Sequence, residues 1–414
     1  MVIRLQRKYH SEMFAWRLGT QPLSTGMWRI IEPWIPVSLT SKRSDLPVIV
    51  SLEVHAAAEQ QEIMVEIIKS TWKGLLTPPL IPEAISLPSP DSLRKKILVK
   101  VKYVDPKKAA AKAKDTSPSK SPMPSSSSAS DLEDAPGEVK KKKKKSAIVP
   151  SLSELGVYTR AFHFKSLSTP EATLPTHVFS LSEKKVMDVH SSSGPTLFSH
   201  NRNYLMRAFP SGMRVRSDNL DPAVFWRKGI QMVALNWQRW DEGMMLNEAL
   251  FTGSDGYVLK PDGYRGMNLQ ASTPGISTES QVDAITHKTL TLSIEFLAAQ
   301  DVPLPLGDTK PERFHPYIKC ELHVEDPAER TGAPIEGGGK SKEGRYKWKS
   351  RSMKGTELDF GGEKVEFKDI PGVVDELSFL RYVVAFFSLP STFHFLGRGY
   401  HRYGALCRFN RSWL

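Results

Sequence analysis

Residues 46–53 read Leu-Pro-Val-Ile-Val-Ser-Leu-Glu, a short apolar run that ends on a carboxylate. Leu46 to Leu52 has the length and composition of one buried strand. From His55 to Leu75, the residues Ile63, Met64, Ile67, Ile68 and Leu75 recur at three- and four-residue spacing, which predicts an amphipathic helix. Ile97 to Tyr103, Ile-Leu-Val-Lys-Val-Lys-Tyr, predicts a second strand. A strand, a helix and a strand in that order imply parallel pairing, because parallel neighbours need a crossover long enough to hold a helix.

The same alternation resumes further along. His177 to Ser180 reads as a strand, Ser182 to Ser191 as a helix, Tyr204 to Phe209 as a strand, Pro222 to Arg227 as a helix and Gln231 to Asn236 as a strand. The two α/β segments therefore read as halves of one domain. From about Thr286 the period changes to two: Leu290, Leu292, Ile294 and Phe296 share one face, followed by Tyr317 to Val324 and Tyr346 to Ser352. Such strands between Pro/Gly-rich loops predict an antiparallel sandwich, with Thr331 to Lys342 a flexible loop inside it.

Between the α/β halves, residues 105–150 collapse into Lys, Ala, Ser, Pro and acids, the composition of a disordered linker. Eleven Lys against six acids place +5 of the chain's net +12 there. The run Lys140 to Lys145 reads as a solvated tether, as an attraction to anionic lipid or as a nucleic-acid contact. Without interleaved aromatics it carries no specificity, and no nucleic-acid partner is expected.

At 414 residues the chain has material for about two to three domains. A 40% hydrophobic share and nine Trp exclude a wholly disordered protein. The two cysteines, Cys320 and Cys407, support neither a disulfide framework nor a cysteine zinc site, which suits a reducing interior. The opening residues lack the apolar core of a secretory signal, and no apolar run approaches the roughly 20 residues of a membrane span. The expectation is a cytoplasmic monomer, peripheral at membranes.

Glu53, at the C-terminal end of a buried parallel strand, stands where barrel active sites lie and suits a metal ligand or a base; equally, it suits the start of the following helix. Lys100 and Lys102, two apart on a strand, share one face while Ile97, Val99 and Val101 take the other. Two ammonium groups on one side suit a sugar polyphosphate, or are an ordinary solvated face. Arg207 shares its strand face with Leu205 and Phe209 and could grip a phosphate in bidentate fashion.

These stretches resemble phosphoinositide-specific phospholipase C. Leu-Pro-Val-Ile-Val-Ser-Leu-Glu-Val-His (46–55) with Ser-Leu-Arg-Lys-Lys-Ile-Leu-Val-Lys-Val-Lys (92–102) is similar to the later part of that family's X region. Leu155 onward is similar to nearly the whole Y region, through Ser-Leu-Ser-Glu (180–183), His-Asn-Arg-Asn-Tyr-Leu-Met-Arg-Ala-Phe-Pro-Ser-Gly (200–212), Gln-Met-Val-Ala-Leu-Asn-Trp-Gln (231–238) and Gly-Tyr-Val-Leu-Lys-Pro (256–261). The resemblance implies an α/β fold: a split, incomplete TIM-type barrel followed by a C2-like antiparallel β-sandwich. It divides the chain into a divergent segment at 1–45, the later X-like half at 46–104, the linker at 105–150, the Y-like half at 151–266, a connector at 267–285 and the C2-like module at 286–414, whose C-terminal part diverges.

It implies a reaction as well: hydrolysis of phosphatidylinositol 4,5-bisphosphate to diacylglycerol and inositol trisphosphate at a membrane, in signalling and lipid catabolism. In the family, calcium and two histidines serve an attack by the inositol 2-hydroxyl on the 1-phosphate. Carried over, Glu53 would be a Ca2+ ligand and Lys100 and Lys102 would bind the ring 4- and 5-phosphates. Ser180 and Arg207 would be further headgroup contacts. Phe209 stands where many relatives place a ring-stacking Tyr.

The family's catalytic His motifs are not visible in residues 1–46, where the only His is His10 and the only acids are Glu12, Glu32 and Asp45. His200-Asn201 lies in the Y-like segment and is no substitute, so no catalytic residue is assigned. A noncatalytic phosphoinositide-binding scaffold is the alternative function. His315-Pro316 stands where calcium-binding C2 domains place Asp-Pro, so no calcium site is expected in the sandwich, with Asp301 and Asp308 as ordinary loop residues.

Overall fold

The computed structural model describes residues 2–3, 44–79, 87–104, 147–214, 216–254, 256–266, 285–305, 308–340, 344–386 and 403–408. The linker up to residue 146, its six lysines, His10 and Glu12 lie outside the described residues, as does most of the segment before residue 44.

One eight-stranded sheet runs through both α/β halves. In chain order its strands are β1 (Val2–Ile3), β2 (Val48–Ser51), β3 (Ile97–Lys102), β4 (Arg160–Phe162), β5 (His177–Ser182), β6 (Met206–Phe209), β7 (Met232–Val233) and β8 (Tyr257–Val258). They lie in the order β2-β3-β4-β5-β6-β7-β1-β8, with parallel pairing from β2 to β7 and on to β1, and β8 antiparallel to β1. The decisive junction is β3 against β4, Val101 opposite Arg160 and Lys102 opposite Ala161, which joins the halves on either side of the linker. At the far side, the Tyr257 hydroxyl donates to the Pro47 carbonyl at 2.7 Å, tying β8 to the segment that opens β2. This is the split, incomplete TIM-type barrel expected from the sequence.

Helix α1 (Ala58–Thr71) crosses from β2 to β3. Its buried residues are Gln61, Met64 and Val65, whereas Ile63, counted in the expected apolar stripe, is 48% exposed. Gln61 is buried because its amide is fully used. Nε2 donates to the carbonyls of Ala56 and Ala147, and Oε1 accepts from the Val149 amide, so a polar side chain knits the halves together. The short helix α2 (Pro150–Ser153) follows.

Helix α3 (Glu183–Asn203) is longer than the expected 182–191 and breaks at Ser193, just before Pro195, which cannot donate to the preceding turn. Helices α4 (Pro222–Trp226) and α5 (Glu242–Phe251) complete the outer layer. The reading of the sequence missed β4 and α5, and β7 is shorter than the expected 231–236.

The period-two region forms two antiparallel sheets. Strands β9 (Lys288–Ala299) and β12 (Leu358–Val373) pair with each other; β11 (Tyr346–Lys349), β10 (Pro316–His323), β13 (Phe379–Phe386) and β14 (Tyr403–Arg408) lie side by side in that order. Leu290, Leu292, Ile294 and Phe296 meet Cys320, Leu322, Val365 and Phe367 between the sheets, and the Phe296 ring stacks on Trp348 at 5.2 Å.

Barrel and sandwich share one core, since Val374, Leu377 and Phe379 pack with Trp226, Phe225 and Phe251. Helix α6 (Pro327–Thr331) docks there: buried Arg227 donates to Glu329 through Nε at 2.9 Å and Nη2 at 3.1 Å, and Lys228 bonds the Glu329 carbonyl. The expected flexible loop at 331–342 is instead seated where it is described. Gly339, at φ +75°, lies so close to Phe225 that a Cβ would meet the ring at 2.9 Å, and Lys340 forms a bridge with Leu220.

Candidate functional site in the barrel mouth

Strand alternation and register decide which side chains point into the barrel. Directly opposed residues face the same way, so Ser51 and Lys100, Ser180 and Arg207, Ser182 and Phe209, and Arg207 and Met232 pair face for face. The opposite face is recognisable because Val99 and Val101 pack in the cluster under Val65 and Trp72, and Phe179, Leu181, Met206 and Ala208 pack against α3. Inside, Val178 and Met232 with Ile49, Leu205 and Tyr257 form an apolar floor. Above that floor, towards the C-terminal strand ends, the lining turns polar: Ser51, Lys100, Ser180 and Arg207, then Glu53, Lys102 and Ser182 at the rim, with the Phe209 ring beside them.

Lys100 is buried, while Lys102, one step nearer the mouth, is exposed. Burial, and secondarily the Arg207 charge, pull the Lys100 ammonium down to about 7, with Glu53 opposing the fall. Arg207 is likewise lowered by burial and supported by Glu53. The Arg207 guanidinium lies 5.3 Å from the Phe209 ring centre, a cation–π distance. Among the described residues, Ser180 Oγ and Arg207 Nε are fully buried without a hydrogen-bond partner. Orphaned polar atoms cost about 1–3 kcal/mol each, and these two lie side by side on the lining of the barrel.

The rim is held by an ion pair that the sequence reading passed over. Arg214 donates to both Glu183 oxygens, at 2.6 Å and 2.5 Å, and the Ser211 amide donates to the same carboxylate at 2.8 Å. This staple joins the end of β5 to the loop after β6, so the strands carrying Ser180 and Arg207 are clamped just above those residues. Ser182 caps α3 from the same turn, accepting from the Lys185 amide. A helix-start Glu three residues after Ser180 was the only available hint, and nothing marked Arg214 as its partner.

The described residues do not fit the calcium ion that the resemblance implies. Calcium takes six to eight oxygens. Glu53 is a single carboxylate whose charged neighbours in the mouth are Lys100 and Arg207, and no group of three or more His, Cys, Asp or Glu among the described residues could hold a metal.

Two family descriptions match the chain: phosphatidylinositol-specific phospholipase C, X domain, over residues 38–103, and its Y domain over residues 152–263. The chain is 32% identical over 318 residues to "1-phosphatidylinositol 4,5-bisphosphate phosphodiesterase 1" of Candida albicans, covering 71% of this chain and 28% of that protein. It is 32% identical to the delta-3-A phosphodiesterase of Danio rerio (68% and 36%) and 30% identical to human "Inactive phospholipase C-like protein 2" (68% and 25%). The chain thus spans about a third of the length of these relatives or less. Among solved structures, S. officinalis PLC21 superposes with a TM-score of 0.59 at 22% identity, over 84% of this chain and 40% of that one, a likeness of fold.

Proposed function

This chain belongs to the phosphatidylinositol-specific phospholipase C family, and we propose that its barrel mouth grips the headgroup of phosphatidylinositol 4,5-bisphosphate for release of inositol trisphosphate and diacylglycerol. The observation that carries this reading is the side-by-side pair of unpartnered buried polar atoms, Ser180 Oγ and Arg207 Nε, beside buried Lys100. A guanidinium, a hydroxyl and an ammonium converging under a ring are what a phosphorylated sugar requires. Arg207 would take a ring phosphate, Lys100 the neighbouring one, and Lys102 would meet the second phosphate at the rim. Phe209 would cover one face of the inositol.

The membrane would be approached mouth first. Met213, in the loop after β6, is 56% exposed, and Trp240, in the loop after β7, is 64% exposed. Apolar side chains on the same rim as a polyphosphate pocket suit a bilayer whose headgroups are drawn into the barrel. The antiparallel sandwich would serve as a C2-like module behind it.

No catalytic step is assigned to a named residue. The second reading, a noncatalytic phosphoinositide scaffold, is favoured by one observation: among the described residues no group of three or more His, Cys, Asp or Glu could hold a metal ion with Glu53. Mixed liposomes carrying the bisphosphorylated lipid, incubated with the purified chain and calcium, separate the readings. Soluble inositol trisphosphate is expected from the enzyme, and binding without product from the scaffold. Equal affinity for bisphosphorylated and plain phosphatidylinositol vesicles would refute both.

A further inference from the structure

Asn219 lies between β6 and α4 and is fully buried. Its side chain is wrapped by a different loop, the one that leaves β7. Oδ1 accepts from the Asn236 amide, and Nδ2 donates to Asp241 Oδ1 at 3.0 Å and to the carbonyls of Arg239 and Asn236 at 3.1 and 3.3 Å. The Asn219 backbone amide donates to the other Asp241 oxygen at 2.8 Å. From the loop side, Asn236 Nδ2 donates to the Asp218 carbonyl and Arg239 meets the Asp218 carboxylate, both at 3.3 Å. One buried amide thus grips the second loop at residues 236, 239 and 241.

The surroundings are shaped to permit this grip. A Cβ at Gly243 would strike the Leu220 carbonyl and meet Asn219 Cβ at 2.9 Å, so only glycine lets α5 start this close. Ser217 is held at φ +53°, a conformation that a residue with a Cβ seldom adopts, and its amide donates to the Arg214 carbonyl. Asp241 is also the N-cap of α5, accepting from the Met244 amide. Between two gripped residues stands Trp240, 64% exposed. An exposed ring with both neighbours pinned has lost its backbone freedom at folding, before any partner arrives.

We propose that Asn219 is a positioning residue for capture of the lipid: it presents Trp240 at the rim in the attitude in which the ring meets the bilayer as the headgroup enters. The proposal rests on the barrel-mouth reading and adds to it a buried residue that touches neither headgroup nor lipid. The Glu183–Arg214 staple is independent of this grip, so removing the Asn219 amide leaves the strands of Ser180 and Arg207 clamped.

The test is a cycle on the full chain: wild type, Asn219→Ala, Trp240→Ala and the double variant. On phosphatidylcholine vesicles carrying phosphatidylinositol 4,5-bisphosphate, both single variants should bind more weakly, Asn219→Ala by about tenfold, the cost of ordering one loop residue again. The double variant should bind like Trp240→Ala alone, because the amide acts through the ring. Affinity for soluble inositol trisphosphate should be the same in all four, which a general loss of fold would not allow. The emission of Trp240, taken as the difference between chains with and without that ring, should shift less to the blue on vesicles when Asn219 is replaced. Asp241→Ser approaches the loop from its other side: serine still caps α5 but cannot hold Asn219 twice, so it should reproduce Asn219→Ala and takes its place if that variant does not fold. Unchanged vesicle binding in both loop variants, additive losses in the double variant, or a matching loss of soluble-headgroup affinity would overturn the proposal. Trp240→Ala binding vesicles as tightly as wild type would overturn it together with the mouth-first approach, whereas retained binding of the soluble headgroup would leave the headgroup grip standing.

Discussion

Ser180 and Arg207 sit directly opposite one another on adjacent parallel strands, and each carries a buried side-chain atom, Oγ and Nε, without a hydrogen-bond partner among the described residues. A stability-driven design would have filled that position with apolar side chains, because a buried donor left without an acceptor costs about 1–3 kcal/mol. Arg207→Met should therefore leave the thermal midpoint unchanged or higher while weakening inositol trisphosphate binding by about 10- to 100-fold, the worth of a charge-assisted hydrogen bond. Arg207→Lys should not restore it, since a single ammonium cannot match a forked donor. Calorimetric titration with the soluble headgroup measures both, and a variant that loses stability and keeps affinity would refute the assignment.

The parallel halves were legible in the sequence because strands such as Ile97–Lys102 carry apolar runs and because the family motifs lie on them, although Val48–Ser51, expected to be buried, is exposed at both of its ends. The convergence of the lining was not legible, since it depends on register between strands more than a hundred residues apart. Polar residues that act as structure misled the pattern: Gln61 is buried in α1 while neighbouring Ile63 is exposed. A glycine run at Gly337 to Gly339 reads as mobility, yet its positive φ angles are what allow the chain to press against Phe225.

The Glu183–Arg214 staple gives a second outcome. Both side chains are largely buried, so Glu183→Gln should cost about 3 kcal/mol and splay the loop after β6 away from β5. Headgroup affinity should fall with it, although neither residue is among the proposed ligands. The double variant Glu183→Gln, Arg214→Met should recover part of the stability, a coupling that denaturant unfolding of the four proteins would measure. Strict additivity would mean that the pair is not a unit.

At the barrel–sandwich junction, Glu329 is the partner of both buried cations, accepting from Arg227 with its carboxylate and from Lys228 with its carbonyl. Glu329→Ala should leave Arg227 buried beside fewer counter-charges and cost about 3–5 kcal/mol. Because the two modules share the core around Phe379 and Trp226, the wild-type chain should melt in one transition and the variant in two. A single unshifted transition in the variant would contradict the interface described.

His200 gives the pH dependence. Its ring lies between Phe179, at 5.7 Å, and Tyr204, at 5.1 Å, and burial, then the Lys260 charge, lower it from 6.5 to about 4. Between those two values the unfolded chain binds the proton and the folded chain does not. Stability therefore falls as the pH drops from 6.5 towards 4, by about 3 kcal/mol from this group, and is untouched above that window. Burial lowers His177 and His190 in the same direction and adds to the slope. His200→Phe keeps an aromatic ring in the stack and removes the proton site. Urea unfolding at pH 5 and pH 7.5 should show a smaller acid loss in the variant, with the difference confined to the lower pH. An equal loss in both proteins would show that the ring titrates as it does in water, and that the site around it opens before the fold does.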